Sequence, residues 1–264
     1  QTSPEARARF LDTLADELDL LGEDFFTIAH QETALPLARL QGERARTSNQ
    51  LRLFAGVLRR GDAFGVRIDT ALPARQPLPR PDLRQYLTAL GPVAVFGASN
   101  FPLAFSTAGG DTAAALAAGC PVVFKAHSGH MATAEWVADA LMRAAERTGM
   151  PAGVFNMIYG AGVGEALVKH PAIQAVGFTG SLPGGRALCD MAAARPQPIP
   201  VFAEMSSINP VILLPQALAA RAASIAKDLA ASVTLGGGQF CTNPGLVIGV
   251  RSPEFTGFVQ QLTQ

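Results

Sequence analysis

The chain has 264 residues, of which 48% are hydrophobic and 16% charged, a composition typical of a globular protein with ample material for a core. Lys and Arg together number 21, as do Asp and Glu, so the charge balance predicts neither a nucleic acid nor an anionic membrane surface as a partner. The longest apolar run, residues 113–124, is interrupted by Gly119 and Pro121 and is too short to span a bilayer.

The N-terminal region up to residue 60 has the pattern of helices. Residues 3–5 (Ser-Pro-Glu) make a helix start, because a capping hydroxyl precedes a proline and an acidic side chain. A further helical stretch is predicted from Thr33 to Val57, with a solvated face that carries Arg39, Arg44, Arg46 and Arg52. Residues 61–83 are rich in Gly, Pro and Asp but keep alternating apolar residues, which predicts a β arm near residues 61–89.

From residue 91 onward, short apolar strands alternate with helices. The strands are predicted at residues 92–96, 121–125, 153–158, 175–178 and 200–203. This alternation is typical of a parallel sheet covered by helices on both faces, so the predicted fold class is α/β. In such sheets ligands bind beyond the carboxyl ends of the strands, which makes the residues at those ends candidates for a site.

Two side chains that follow predicted strands suit the chemistry of a carbonyl group. Asn100 lies in a turn after a buried strand, where its amide is able to donate to a developing oxyanion. The alternative is a turn asparagine that bonds its own backbone. Glu204 also follows a strand, and we expect a partly desolvated carboxylate that acts as a general base, or else an ordinary carboxylate at a helix start or on the surface.

Other strand ends suit a nucleotide. Lys125 ends an apolar strand, so its ammonium group is expected at the mouth of a cleft, near ribose hydroxyls or a phosphate, or simply in solvent. Thr179, Gly180 and Ser181 bring hydroxyls and N–H groups to a helix start, which fits a pyrophosphate as well as an ordinary helix cap. The glycines of residues 160–164 lack the spacing of a dinucleotide fingerprint and are interpreted as a tight turn.

A cysteine follows a glycine-rich turn near the end of the sequence. Cys241 comes after residues 236–240 (Gly-Gly-Gly-Gln-Phe), which allow the main chain to wrap around a reacting atom. By itself this pattern also fits a buried cysteine in a tight turn. Cys120 and Cys189 are interpreted as packing residues, and three cysteines are too few for a disulfide framework, which favours a reducing, cytoplasmic location. The four histidines do not combine with a cysteine into a ligand set, so we expect no metal.

Five of these motifs, in this order, resemble the aldehyde dehydrogenase superfamily over nearly the whole chain. They are residues 97–102 (Gly-Ala-Ser-Asn-Phe-Pro), Lys125 with the residues after it, residues 177–181 (Gly-Phe-Thr-Gly-Ser), Glu204-Met205 and residues 238–241 (Gly-Gln-Phe-Cys). The resemblance implies a Rossmann-type parallel sheet with flanking helices over residues 1–206. It also implies that residues 207–264 are the N-terminal part of a second, α/β catalytic domain that is truncated here.

The resemblance also implies roles for individual residues. Cys241 would be the nucleophile, Glu204 the general base and the Asn100 side chain an oxyanion donor, together with the Cys241 N–H. Lys125 would hold the adenosine ribose, and Ser181, with Thr179 and Gly180, the pyrophosphate. The expected reaction is oxidation of an aldehyde to the acid by way of a thiohemiacetal and a thioester on cysteine.

The sequence departs from many relatives after the lysine. Many members have a glutamate three residues after it, which repels a 2′-phosphate, whereas this chain has Ser128. We therefore predict NADP as the cofactor, with Ser128 beside it, and NAD as the alternative. Residues 97–106 look most like the α-ketoglutaric semialdehyde (2,5-dioxopentanoate) dehydrogenases and the NADP-dependent fatty aldehyde dehydrogenases, so a semialdehyde or a long-chain aldehyde is the expected substrate.

The sequence also stops soon after the nucleophile. The motif that positions the nicotinamide ribose in relatives and their terminal strand are missing, so we expect a fragment of an active enzyme. The alternatives are a nucleotide-binding fragment without activity and, with less support because a histidine base is lacking, a cysteine hydrolase or acyltransferase. A homodimer or homotetramer is expected, and Arg84 is left open between a substrate carboxylate and a neighbouring subunit.

Overall fold

The computed structural model describes residues 2–263, which form two compact units, the first ending at Glu204 and the second beginning at Met205. The helices of the first unit are α1 (Pro4–Asp19), α2 (Glu23–Thr33), α3 (Leu37–Arg60), α4 (Gly110–Ala118), α5 (Met131–Thr148), α6 (Val163–Lys169) and α7 (Leu182–Ala193). Its strands are β1 (Arg67–Asp69), β2 (Leu83–Gln85), β3 (Val93–Phe96), β4 (Val122–Lys125), β5 (Phe155–Ile158), β6 (Ala175–Thr179) and β7 (Val201–Glu204). A short 3-10 helix, Asp62–Phe64, follows α3.

The N-terminal region is helical as the pattern predicts, but the boundary between its second and third helices differs from the prediction. The Ser3 hydroxyl accepts a hydrogen bond from the Ala6 N–H at 3.1 Å and so caps α1. The predicted helix from Thr33 to Val57 is wrong at its start, because Thr33 is the last residue of α2 and α3 begins only at Leu37. The break has a local cause: Ala34 has a left-handed φ of 57°, and Pro36 offers no N–H to continue a helix.

The arginines of α3 reach solvent as predicted, Arg46 as an exposed residue and Arg39, Arg44 and Arg52 in part, but three of them also contact neighbouring parts of the first unit. The guanidinium carbon of Arg39 lies 4.6 Å from the centre of the Phe101 ring, and that of Arg46 lies 5.0 Å from the centre of the Phe105 ring. Arg44 donates to the Leu21 carbonyl at 2.7 Å. Arginine stems and planar head groups cover apolar surface well, so hydrophobicity alone does not reveal such contacts.

A five-stranded parallel sheet in the order β5-β4-β3-β6-β7 forms the centre of the first unit and confirms the predicted α/β class. Each predicted strand is found within two residues of its expected ends. The central strand β3 pairs Phe96 with Lys125 on one side and with Phe178 on the other, and β6 pairs Thr179 with Glu204. Because all five strands run in the same direction, the residues at their carboxyl ends lie along one edge of the sheet.

The segment predicted as a β arm contains the antiparallel pair β1–β2 and an isolated bridge between Leu72 and Arg80. Most of its large apolar side chains are exposed, among them Ile68 and Tyr86. Arg84, on β2, forms an ion pair with Asp82 at 2.9 Å. The first unit therefore has an exposed, partly apolar ribbon outside its core.

The second unit has its own small core. It consists of β8 (Pro210–Leu213), α8 (Pro215–Thr234), a 3-10 helix (Leu235–Gly238), β9 (Leu246–Gly249) and α9 (Pro253–Leu262). Strands β8 and β9 are parallel, and Leu213, Leu218, Leu229 and Phe258 are buried between them and the helices. No helix in the part of the chain that the structure describes has the length and apolar character of a membrane span. The assignment of residues 1–206 to a cofactor-binding domain and of 207–264 to a catalytic domain stays a prediction.

Candidate active site

The carboxyl edge of the parallel sheet brings several predicted residues together. Lys125 and Glu204 are the last residues of β4 and β7, and Thr179 is the last residue of β6. The backbone continues the ladder past the strand ends, since the Gly180 N–H donates to the Glu204 carbonyl at 3.0 Å. In the register of the sheet, Thr179 and Glu204 are direct neighbours, while Lys125 lies on the other side of β3.

Asn100 lies in a tightly organised loop that follows β3. The Ala98 N–H donates to the Phe105 carbonyl at 2.9 Å, so the loop closes on itself around Asn100, which is half-buried. A Cβ atom on Gly97 would lie 2.8 Å from the Phe124 ring, which explains why a glycine begins the loop. A side-chain amide carried by this ordered loop is suited to donate to a developing negative charge.

Of the two alternatives that the sequence left for Glu204, the structure matches the surface carboxylate. Glu204 is exposed in the first unit. A less exposed carboxyl group at this edge belongs to the half-buried Asp111, in the first turn of α4. It packs against β6, where a Cβ on Gly177 would lie 3.1 Å from the Asp111 Cβ. Burial raises the pKa of Asp111, and the negative charge of Glu204 raises it further.

Sequence reasoning missed Asp111. An aspartate in the first turn of an Ala-rich helix has the position of an ordinary N-terminal acid, which favourable interaction with the helix dipole already explains. The sequence did contain a signal, namely the two glycines just before Asp111 and the glycine at position 177. The glycine at 177 lies on β6 and leaves room there for the Asp111 side chain of α4. The structure thus adds a second carboxyl group whose charge is coupled to that of Glu204.

The start of α7 is less open to a ligand than the sequence predicts. Ser181 caps the helix, accepting a hydrogen bond from the Gly184 N–H at 3.3 Å, and Pro183 has no N–H. The Gly180 N–H is already bonded to the backbone of β7. The group at this helix start that is still available to an anion is the exposed Ser181, next to the partial positive charge of the helix N-terminus.

A basic and polar group of side chains surrounds Lys125. Ser128 is exposed, and the rings of His127 and His130 stack at 5.2 Å between centres. Burial lowers the pKa of His127, and the nearby His130 and Lys125 lower it further, so a neutral imidazole is favoured there. A cation, a serine hydroxyl and the helix start of α7 along one sheet edge fit the ribose and phosphate groups of a dinucleotide.

The predicted nucleophile lies in a loop of the second unit. Three consecutive glycines at positions 236–238 have left-handed φ values of 60°, 68° and 75°, a conformation that other residues rarely adopt. Asn243 then closes the turn, donating from Nδ2 to the Val233 carbonyl at 2.8 Å and to the Gly238 carbonyl at 3.1 Å. Cys241 is exposed at the end of this turn, whereas Cys120 is buried and Cys189 is half-buried.

Two side chains just before β8 form hydrogen bonds to the main chain at Cys241. Asn209, just before β8, donates from Nδ2 to the Cys241 carbonyl at 2.6 Å and to the Asn243 carbonyl at 3.1 Å. The Ser207 hydroxyl donates to the same Cys241 carbonyl. An exposed thiol on a main chain fixed by two side chains is suited to a nucleophile that must meet a substrate in one position.

The described residues contain no group of three or more His, Cys, Asp or Glu side chains that would hold a metal ion. The candidate groups are therefore a thiol in the second unit and an amide and carboxyl groups in the first.

The family model of the aldehyde dehydrogenase family matches residues 1–264. The chain belongs to this family. The resemblance inferred from the five motifs is thereby confirmed.

Two curated relatives are similar over nearly the whole chain. The α-ketoglutaric semialdehyde dehydrogenase of Acinetobacter baylyi is 64% identical over 261 residues, which are 99% of this chain and 50% of that protein. The α-ketoglutaric semialdehyde dehydrogenase 2 of Azospirillum brasilense is 62% identical over 255 residues, 96% of this chain and 49% of that protein. The chain thus spans about half the length of the curated relatives it matches.

Solved structures share the fold. An NADP-dependent enzyme from E. coli superposes with a TM-score of 0.80 at 26% identity, over 100% of this chain and 51% of that one. An NAD-dependent benzaldehyde dehydrogenase from Corynebacterium glutamicum gives 0.80 at 26% identity, over 99% of this chain and 54% of that one. Because these two neighbours differ in the nucleotide they depend on, the shared fold does not decide between NAD and NADP.

Proposed function

We propose that the full-length protein containing this chain oxidises a semialdehyde, with 2,5-dioxopentanoate as the first candidate, to the carboxylic acid. The observation that carries the proposal is the 64% identity to an α-ketoglutaric semialdehyde dehydrogenase over nearly the whole chain. It is supported by the arrangement of polar residues at the sheet edge and by the exposed, fixed cysteine. Both relatives described above are named for a semialdehyde, which favours this substrate over a long-chain aldehyde, the alternative from the sequence.

In the proposed mechanism Cys241 is the nucleophile. Its thiolate attacks the aldehyde carbon and forms a thiohemiacetal, whose oxyanion accepts hydrogen bonds from the Asn100 amide and the Cys241 N–H. When bound, the nicotinamide dinucleotide supplies the hydride acceptor, and a thioester on Cys241 remains. Glu204 then takes a proton from a water molecule, the water oxygen attacks the thioester, and the thiolate leaves as the acid forms.

We propose NADP as the preferred cofactor. Lys125 holds the adenosine ribose, and Ser181, with Thr179 and Gly180, lies against the pyrophosphate. Ser128 is exposed three residues after Lys125, so no carboxylate at that position repels a 2′-phosphate.

We also propose that the protein works as a homodimer or homotetramer in the cytoplasm. The exposed apolar residues of the β1–β2 ribbon support an association between subunits, because contiguous apolar surface of this kind marks contact sites. Sedimentation of the full-length protein checks the oligomeric state, and a monomer at micromolar concentration contradicts it.

The test of the activity uses the full-length protein with a panel of 2,5-dioxopentanoate, short semialdehydes and long-chain aldehydes. We expect NADPH formation that is fastest with 2,5-dioxopentanoate and abolished by Cys241→Ala. Cys189→Ala is the matched control, since it removes a half-buried thiol outside the site and should leave turnover unchanged. Binding of NADP without turnover of any aldehyde would instead identify a nucleotide-binding protein.

A further inference from the structure

Glu43, on α3, is a buried carboxylate. Its side chain is 1% exposed, and one oxygen, Oε1, accepts hydrogen bonds from the Leu103 N–H and the Ala104 N–H, both at 2.9 Å. The other oxygen, Oε2, accepts from Arg39 at 3.1 Å. Burial raises the pKa of Glu43, while the two N–H groups and Arg39 act in the opposite direction. A carboxylate is costly to bury, so its position needs a reason beyond filling space.

The two N–H groups belong to the loop that carries Asn100. Leu103 and Ala104 lie three and four residues after Asn100, on the stretch that returns the chain toward α4. On the other side of Asn100, the Ala98 carbonyl lies 2.8 Å from Nε2 of the buried His130. The loop is therefore held at both ends by ionisable side chains from two different helices, α3 and the start of α5.

Aromatic contacts reinforce the attachment to α3. The rings of Phe101 and Phe105 meet edge to face at 5.1 Å. The guanidinium carbon of Arg39 lies 4.6 Å from the centre of Phe101, and that of Arg46 lies 5.0 Å from the centre of Phe105. Arg39, Glu43 and Arg46 follow helical spacing and so act on the loop from one face of α3.

We infer that Glu43 is a positioning residue for Asn100, fixing through two backbone N–H groups the loop from which the Asn100 amide reaches the oxyanion. The inference rests on the proposed function for its catalytic consequence. An oxyanion donor acts only when it is held where the negative charge will develop, and a displacement of about 1 Å is enough to cost about a hundredfold in rate. Loops have few bonding partners of their own, so a buried carboxylate from a neighbouring helix supplies the rigidity.

The test replaces Glu43 by glutamine in the full-length protein. The substitution keeps the size of the side chain, but a glutamine offers only one acceptor oxygen, so its NH2 group must face either the loop N–H groups or Arg39. We expect Glu43→Gln to lower kcat about tenfold to a hundredfold with KM for the aldehyde nearly unchanged, because an oxyanion donor acts mainly in the transition state.

Glu17→Gln is the matched control. Glu17 is likewise a buried glutamate with arginine partners, Arg143 at 2.9 Å and Arg147, but it contacts no loop of the site. We expect Glu17→Gln to lower the unfolding temperature without lowering kcat. A similar fall of kcat in both variants would show that Glu43 is only structural and would overturn the inference.

Two further measurements separate the positioning role from general damage. In an Asn100→Ala background, Glu43→Gln should lower kcat no further, because the group it positions is already gone; an undiminished additional loss contradicts the inference. Hydrogen exchange over residues 98–106 should rise in Glu43→Gln and not in Glu17→Gln. If the glutamine variant does not fold, Glu43→Asp, which keeps the charge and shortens the reach, is measured in the same way.

Different results would contradict the proposed function and the positioning role of Glu43. If the wild-type protein oxidises no aldehyde, the proposed function is wrong, and the exchange experiment alone decides on Glu43. Unchanged exchange over residues 98–106 in both Glu43 variants would overturn the positioning role whatever the activity of the protein.

Discussion

Asn209 holds the main chain of the proposed nucleophile, and its replacement tests how that loop is built. Its Nδ2 donates to the carbonyls of Cys241 at 2.6 Å and Asn243 at 3.1 Å, and its φ is 49°, in the left-handed region. Asparagine suits both demands, because it tolerates this φ better than most residues and carries a short amide donor. Glycine and alanine separate the two contributions.

The expected magnitudes follow from the two hydrogen bonds and the backbone conformation. Each bond contributes about 0.5–1.5 kcal/mol, so Asn209→Gly should lower the free energy of unfolding by about 1–3 kcal/mol. Asn209→Ala loses the same bonds and must also adopt a left-handed φ with a Cβ atom, which adds about 1 kcal/mol. We therefore expect the order of stability to be wild type, then the Gly variant, then the Ala variant.

Urea denaturation of the full-length protein measures these differences, and turnover reports the effect on the loop. Both variants should lower kcat, because the Cys241 thiol and N–H are no longer held in one position. Equal stability of wild type and Asn209→Gly would refute the role of the amide. Equal stability of the Gly and Ala variants would refute the argument from φ, whatever happens to kcat.

Two predictions concern charges in the first unit. Folding raises the pKa of Asp111, so the folded state loses stability as the pH rises through that pKa; Asp111→Asn should be more stable than the wild type at pH 8, with a gain that shrinks toward pH 4, near the ordinary aspartate pKa of about 3.9. Urea denaturation across this range checks it, and a gain independent of pH would contradict it. Ser128→Glu should lower kcat/KM for NADP relative to NAD by about tenfold or more, equivalent to about 1.4 kcal/mol, through repulsion of the 2′-phosphate. Ser128→Gln is the control of equal size, and an unchanged ratio in the Glu variant contradicts the prediction of NADP.

The parallel sheet was predictable because its signal is local. Each strand is a short apolar run bounded by Gly, Pro or polar residues, and the polar residues after the runs, such as Lys125 and Glu204, fall at one edge once the strands are parallel. The break between α2 and α3 was also local, at Ala34 and Pro36, but it was hidden by helical periodicity on both sides.

The supports of the site were not predictable in the same way. Glu43 meets the Leu103 N–H across 60 positions of sequence, and nothing in the helical pattern around Glu43 distinguishes it from a surface glutamate. Asn209 meets the Cys241 carbonyl across 32 positions. The pattern of a helix or a turn shows which face is apolar, but it does not show which polar side chain on the other face will find a distant backbone group.

These supports share a physical reason. A loop that leaves a strand abruptly loses the ladder that satisfied its N–H and C=O groups, and those groups must find other partners where water is excluded. In the first unit Glu43 accepts from two such N–H groups. In the second unit Asn209 and Asn243 donate to carbonyls of the exposed turn at Cys241 and of the end of α8, which have no strand partner. A side chain that forms hydrogen bonds to these backbone groups also fixes them. The same interaction therefore avoids the cost of an unpaired backbone group and positions the neighbouring reactive group. On this argument, substitutions of these supports should reduce catalysis more than their loss of stability alone would account for.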